Sequence, residues 1–142
     1  MIQNMFSDLN WLAVLAGGAT YYIIGAAWYG FMGKGWMEAA GLKLEEIQSN
    51  FNKAAYGITF VLEIIIAACM AGVMSIIGPE TGLTLADAMQ FGLIVGLIFS
   101  GLTTQVHYIY SMRKKHLILY DAGYTTVASI AACAVMQMIG IN

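Results

Sequence analysis

The chain has 142 residues, 60% of them hydrophobic and 10% charged, with six Lys or Arg against eight Asp or Glu and a net charge of −2. A soluble domain carries about 25% charged residues, so this composition excludes a water-soluble globule, and its high hydrophobicity excludes a disordered chain. The absence of a basic field excludes nucleic acid as a natural partner and leaves an integral membrane protein whose first partner is the lipid bilayer.

Met1–Asn10 contains no Lys or Arg and carries Asp8, so it lacks the positive leader of a signal peptide, and the first apolar helix is expected to be retained. No residue between Asp8 and Lys34 is charged. A bilayer core about 30 Å thick takes about 20 apolar residues as helix, which predicts a first span near residues 11–32. In the loop Gly33–Lys53, the residues Trp36, Met37, Ala40, Leu44, Ile47 and Phe51 recur at steps of three or four, with Glu45, Glu46 and Gln48 off that stripe. This spacing predicts an amphipathic helix on the inner membrane surface, with Gly41 as its point of weakness.

The second span, near 55–77, is interrupted only by Glu63. Gly78-Pro79 is expected to stop it, because Gly suits the position after a helix and Pro cannot continue one; Gly78–Gly82 reads as a turn. Thr84 followed by Asp87 resembles a capping box opening the third span, near 88–111. That span carries Gly92, Gly96, Ser100, Thr103 and His107 at steps of four, four, three and four, a small-residue stripe for close helix contact within the chain or between subunits. A short Met112–His116 loop leads to the fourth span, near 117–139, in which only Asp121 is charged.

The continuous apolar runs lack the alternation of a membrane β-barrel. The predicted fold is therefore all-α, one domain over residues 1–142, with four transmembrane helices in two antiparallel hairpins plus the inner-loop helix. So small a bundle buries little of its own surface, which favours a homo-oligomer. All six basic residues lie in two loops, Lys34, Lys43 and Lys53 in one and Arg113, Lys114 and Lys115 in the other. The positive-inside rule puts both loops in the cytoplasm and both termini outside. Cys69 and Cys133 fall inside spans and read as small hydrophobes, and the methionines are too scattered for copper handling. No phosphate loop, His-Glu-x-x-His or Cys-x-x-Cys motif is present, so neither a cofactor nor a metal is expected.

Glu63 is the most informative residue. It lies eight residues into its span, roughly 12 Å from the inner end at 1.5 Å per residue. A carboxylate at that depth is costly unless it faces the bundle interior, is paired or is protonated, and intramembrane carboxylates are functional by default. The face through Tyr56, Thr59, Glu63, Ala67 and Met70 is expected to be buried. Counting depth along the other spans brings Thr103, Thr104, Tyr124 and Gly25 to the level of Glu63. A second polar layer joins Asp121 and His107 nearer the inner surface. Asp121 is placed to pair with His107, to reach Arg113 or to favour the N-terminal dipole of its helix. The plainer reading of the surrounding Trp and Tyr residues is an interfacial aromatic belt.

Three segments carry a family likeness. Asn10-Trp11-Leu12-Ala13 opens the first span, Trp28-Tyr29-Gly30-Phe31-Met32-Gly33-Lys34-Gly35-Trp36-Met37 closes it, and Asp121-Ala122-Gly123-Tyr124 begins the fourth. Together they resemble the bacterial membrane-protein family called domain of unknown function 1761. The resemblance implies a small four-span protein of a bacterial inner membrane and brings no activity or catalytic residue. Where that family often has Pro after Trp-Tyr, this chain has Gly30-Phe31, so a break of the helix there does not carry over.

From the residues, the leading functional expectation is a binding or transport protein that exchanges a proton for a small cationic or amphipathic solute, or binds a lipid, at Glu63, with Thr103, Thr104 and Tyr124 lining the site. The alternative is an accessory or structural subunit packed through the third span and the Trp36–Phe51 surface, with Glu63 only holding helices together. An intramembrane enzyme using His107 and Asp121 ranks behind both.

Overall fold

The computed structural model describes residues 5–78 and 82–141, and among these every regular element is helical. The helices are α1 (Trp11–Ala40), α2 (Leu44–Asn50), α3 (Ala54–Ile77), α4 (Leu85–Leu93), a π-helical segment (Ile94–Leu102), α5 (Thr103–Tyr110) and α6 (Leu117–Ile139). Four continuous stretches are long and apolar enough to cross a membrane: α1, α3, the third span Leu85–Tyr110 formed by α4, the π-helical segment and α5, and α6.

Asn10 starts α1. Its side chain accepts hydrogen bonds from the backbone N–H of Leu12 and of Ala13, at 3.1 and 3.4 Å, which satisfies two of the donors every helix leaves open at its start. The same residue ties the two ends of the chain together, because its amide donates to the Gly140 carbonyl at 2.9 Å and its backbone N–H to that of Ile141 at 3.0 Å. Helix α1 then runs unbroken past Gly30-Phe31 to Ala40, beyond the span end expected at residue 32. It stops at Gly41, whose φ of 74° is a left-handed conformation that glycine adopts without steric cost. The inner-loop stripe is thus divided. Trp36, Met37 and Ala40 belong to α1, and the separate α2 is a seven-residue helix with no buried residue.

Gly78 ends α3 with its N–H on the Met74 carbonyl, but in extended rather than left-handed backbone, at φ −62° and ψ 142°. The residue before a proline is pushed toward that region, which accounts for the difference from the expected glycine cap. The rest of that turn, Pro79, Glu80 and Thr81, lies outside the described residues. The capping box is present as read. Asp87 N–H donates to the Thr84 hydroxyl at 3.2 Å, and Thr84 N–H donates to the Asp87 carboxylate at 3.0 Å.

Helix α6 packs along both α1 and the third span, while α3 packs chiefly on α1 and touches α6 and α4 only slightly. Small side chains make the close contacts possible: Ala13, Ala67, Ala71, Ala128 and Ala132 are fully buried among the larger Val14, Met74, Cys133 and Met136. Cys133 faces the Met70 sulfur at 3.8 Å and Cys69 is exposed, so both thiols are free. The large apolar side chains left outside, such as Leu12, Ile23, Phe31, Leu62 and Phe99, form the surface a bilayer would cover.

The small-residue stripe of the third span is used inside the chain. A Cβ on Gly92 would stand 2.6 Å from the Ser129 carbonyl oxygen, and one on Gly96 would stand 2.5 Å from the Thr126 Cα, so both glycines lie directly against the backbone of α6. The stripe does not continue to Ser100 as expected. Within the π-helical segment the next buried glycine is Gly101, and Ser100 is only half-buried. A π-helix bonds i to i+5, so its face advances in larger steps than a 3.6-residue count allows. The Gly96 carbonyl also takes a hydrogen bond from the Thr125 hydroxyl at 3.2 Å.

Candidate functional site: a half-satisfied glutamate on an aromatic-lined cavity

Glu63 is 4% exposed. One carboxylate oxygen, Oε1, accepts a hydrogen bond from the Tyr124 hydroxyl at 2.7 Å; the other, Oε2, is buried and has no partner among the described residues. Both residues border a cavity of about 290 Å³ between α1, α3 and α6. Its other walls include the side chains of Tyr22 and Tyr29 from α1, Tyr56 from the start of α3, and Phe51 from the connection before it.

The sequence makes this arrangement by combining bulk with gaps. Tyr22, Gly25, Ala26 and Tyr29 follow at helical spacing and present one face of α1 to the cavity. Gly25 is the gap: a Cβ there would stand 3.0 Å from the Tyr124 hydroxyl, so a side chain would crowd the group that reaches Glu63. Ring contacts fix the walls. Tyr124 meets Tyr21 and Tyr29 edge-on, at centroid distances of 5.6 and 5.3 Å, and Phe51 leans on Tyr56 at 5.0 Å. Such pairs hold aromatic side chains in place before any ligand arrives.

Asp121 is placed differently. Its Oδ1 accepts from the Tyr29 hydroxyl at 2.6 Å and from the Trp36 indole N–H at 3.0 Å, and its Oδ2 accepts from the Tyr108 hydroxyl at 2.5 Å. Three donors from α1 and α5 therefore converge on one carboxylate of α6. Around it, Trp28 lies over Gly123, where a Cβ would come within 2.8 Å of the indole ring. The two aromatic segments singled out in the sequence are thus the two halves of one α1–α6 contact, and Tyr29 joins it to the Glu63 cavity.

Of the residues read at the level of Glu63, the structure brings Tyr124 and Gly25 to it. Thr103 is exposed, Thr104 is half-buried, and neither lines the cavity. The depth count carried no information on direction around the bundle, and the third span packs on α6 rather than on the cavity side of α3. His107 is exposed and does not pair with Asp121; its carbonyl caps the helix end by accepting from Ser111 N–H at 2.9 Å. Tyr56 and Thr59, read as buried, are exposed at the mouth of the cavity, so that face of α3 closes only from Glu63 onward. The walls formed by Tyr22, Tyr29 and Phe51 were not singled out as a site, although the spacing of Tyr22, Gly25 and Tyr29 on one helical face signals them. Among the described residues no three His, Cys, Asp or Glu side chains group as metal ligands, and Glu63 is the one carboxylate bordering the cavity.

Four apolar helices of spanning length, packed through alanines and glycines with a carboxylate inside, define a multi-pass α-helical membrane protein. The chain belongs to the family of proteins of unknown function DUF1761, whose model matches residues 12–137. Neither a curated protein nor a solved structure matches it. The matched range takes in both halves of the α1–α6 contact and the whole Glu63 cavity, and leaves out the Asn10 cap.

Proposed function

We infer that the protein binds a small organic cation at Glu63 and exchanges it for a proton across the membrane. The observation that carries this reading is the unpartnered, buried Oε2 of Glu63, a residue that borders a cavity with five aromatic rings in its walls. A carboxylate in such surroundings either takes up a proton or holds a cation, and the two states exclude each other. Tyrosine and phenylalanine faces attract a cation with little dehydration of their own and favour one with an apolar surface. A cavity of about 290 Å³ limits the ligand to a small molecule.

The reading of Glu63 as a purely structural hydrogen-bonder accounts for Oε1, which Tyr124 engages, and leaves the buried Oε2 without a donor among the described residues. The proposal keeps the orientation given by the basic loops: the Gly33–Lys53 and Arg113–Lys115 segments in the cytoplasm, both ends of the chain outside, in a bacterial plasma membrane. The cavity then opens near the cytoplasmic end of α3. A homo-oligomer is part of the proposal, since opposite access needs surface that one chain does not enclose.

Reconstituted vesicles test it. A tetraethylammonium gradient is expected to drive counter-movement of protons through the parent protein, and Glu63→Gln to abolish it. Unchanged flux in the variant, or none in the parent, overturns the proposal.

A further inference from the structure

On the far side of α6 from the Glu63 cavity, two hollows meet at one residue. The first, of about 470 Å³, lies between the third span and α6 and is walled by apolar side chains that include Leu97, Leu102, Leu119 and Val127. The second, of about 390 Å³, lies at the membrane-surface end of the same span and is bordered by Tyr108, Arg113 and Lys115. Gln105 borders both, and its side-chain oxygen is buried with no partner among the described residues.

We propose that these hollows form one binding site for an anionic phospholipid bearing a headgroup hydroxyl, such as phosphatidylglycerol. The dimensions fit. The apolar part follows α6 from Ile118 to Val127, about 14 Å at 1.5 Å per residue, which matches the roughly 15 Å of hydrocarbon in one leaflet. The charges fit as well. Lys114 is engaged with the Glu38 carbonyl at 2.9 Å, whereas Arg113 and Lys115 have no ion pair among the described residues and border the lower hollow. A guanidinium matches a phosphate through two parallel N–H donors, and basic pockets between helices at a membrane surface recognise anionic headgroups. The orphaned oxygen of Gln105 needs a donor, which a headgroup hydroxyl supplies and a choline headgroup does not. Gly101 borders the upper hollow where the third span approaches α6, and a Cβ there would stand 3.1 Å from that of Ala122.

This site is independent of the Glu63 reading and shares no lining residue with it. The test is native mass spectrometry of the full chain purified in detergent and offered equal amounts of phosphatidylglycerol, phosphatidylethanolamine and phosphatidylcholine. One phosphatidylglycerol is expected to be retained in preference to the others. Replacing both Arg113 and Lys115 by Gln is expected to lower that preference roughly thirtyfold, at about fivefold per charge. Leu119→Trp, a substitution at a side chain already 71% exposed, is expected to obstruct the groove and reduce retention of all three lipids with the helix content unchanged. Equal retention of the three lipids by the parent overturns the proposal, as does a double variant that keeps the preference. Displacement of the lipid by millimolar inorganic phosphate would mean an anion site without a place for the acyl chain, and a second copy of the chain retained in place of lipid would mean a dimer interface; either also overturns it.

Discussion

Glu63 and Asp121 both sit inside spanning helices, yet their oxygens are occupied differently. Asp121 accepts three hydrogen bonds from Tyr29, Trp36 and Tyr108, whereas Glu63 accepts one from Tyr124 and keeps its second oxygen buried without a partner among the described residues. Substitution by the amide separates the two roles. Asp121→Asn keeps a single acceptor oxygen for three donors, and hydrogen bonds to a charged group are worth about 1.5–3 kcal/mol each, so it is expected to cost about 2–3 kcal/mol. Glu63→Gln preserves the shape and the acceptor for Tyr124, and is expected to change stability by less than about 1 kcal/mol while removing proton exchange. Thermal unfolding of the two variants in the same detergent decides the matter, and equal losses would contradict the division. Tyr124→Phe leaves both Glu63 oxygens without a donor. It is expected to weaken folding by about 1–3 kcal/mol, seen in the same unfolding measurement, and to leave the vesicle exchange altered rather than abolished.

At the level of elements, the contact between the third span and α6 depends on the absence of side chains. Gly96→Ala would place a Cβ 2.5 Å from the Thr126 Cα, and a shift of backbone is the only relief. A loss of about 1–3 kcal/mol is expected, as for overpacking generally. Gly57→Ala is the counterpart, because a Cβ there meets nothing within 4 Å, and removing a helical glycine in open space is expected to gain about 0.5–1 kcal/mol. Unfolding curves for the pair test the contact, and a harmless Gly96→Ala would contradict it. Three of the four spans were legible to within about three residues, because charges are excluded from the bilayer and Thr84 and Asp87 punctuate the helices, whereas α1 runs eight residues past its expected end to Gly41. The π-helical segment was not. Ile94–Leu102 contains no residue whose chemistry demands i to i+5 bonding, and the departure arises where Gly96 and Gly101 both press on α6. Past that slip, a stripe counted at 3.6 residues per turn points Thr103 and His107 inward, and the structure turns both outward.

For the molecule as a whole, composition and the placement of charge set the four spans and singled out Glu63, and depth counting along helices found Tyr124 and Gly25. Direction around the bundle was out of reach, because it depends on α6 packing between α1 and the third span, a choice made by small residues on several helices at once. Of the aromatic residues near the inner end, which read most simply as an interfacial belt, Tyr29, Trp36 and Tyr108 bond Asp121 and Tyr29 also walls the cavity, whereas Tyr110 stays exposed. Tyr29 therefore couples the packing of α1 on α6 to the shape of the cavity, and Tyr29→Phe is expected to lower cation affinity as well as stability when both are measured on one preparation. The central claim is that proton and cation compete for Glu63. Its most direct test is to add tetraethylammonium to the purified protein in weakly buffered detergent solution and to record proton release alongside binding. Release of a proton on binding by the parent, with neither release nor binding by Glu63→Gln, is the predicted result; cation binding without proton release, or equal release by the variant, would contradict it.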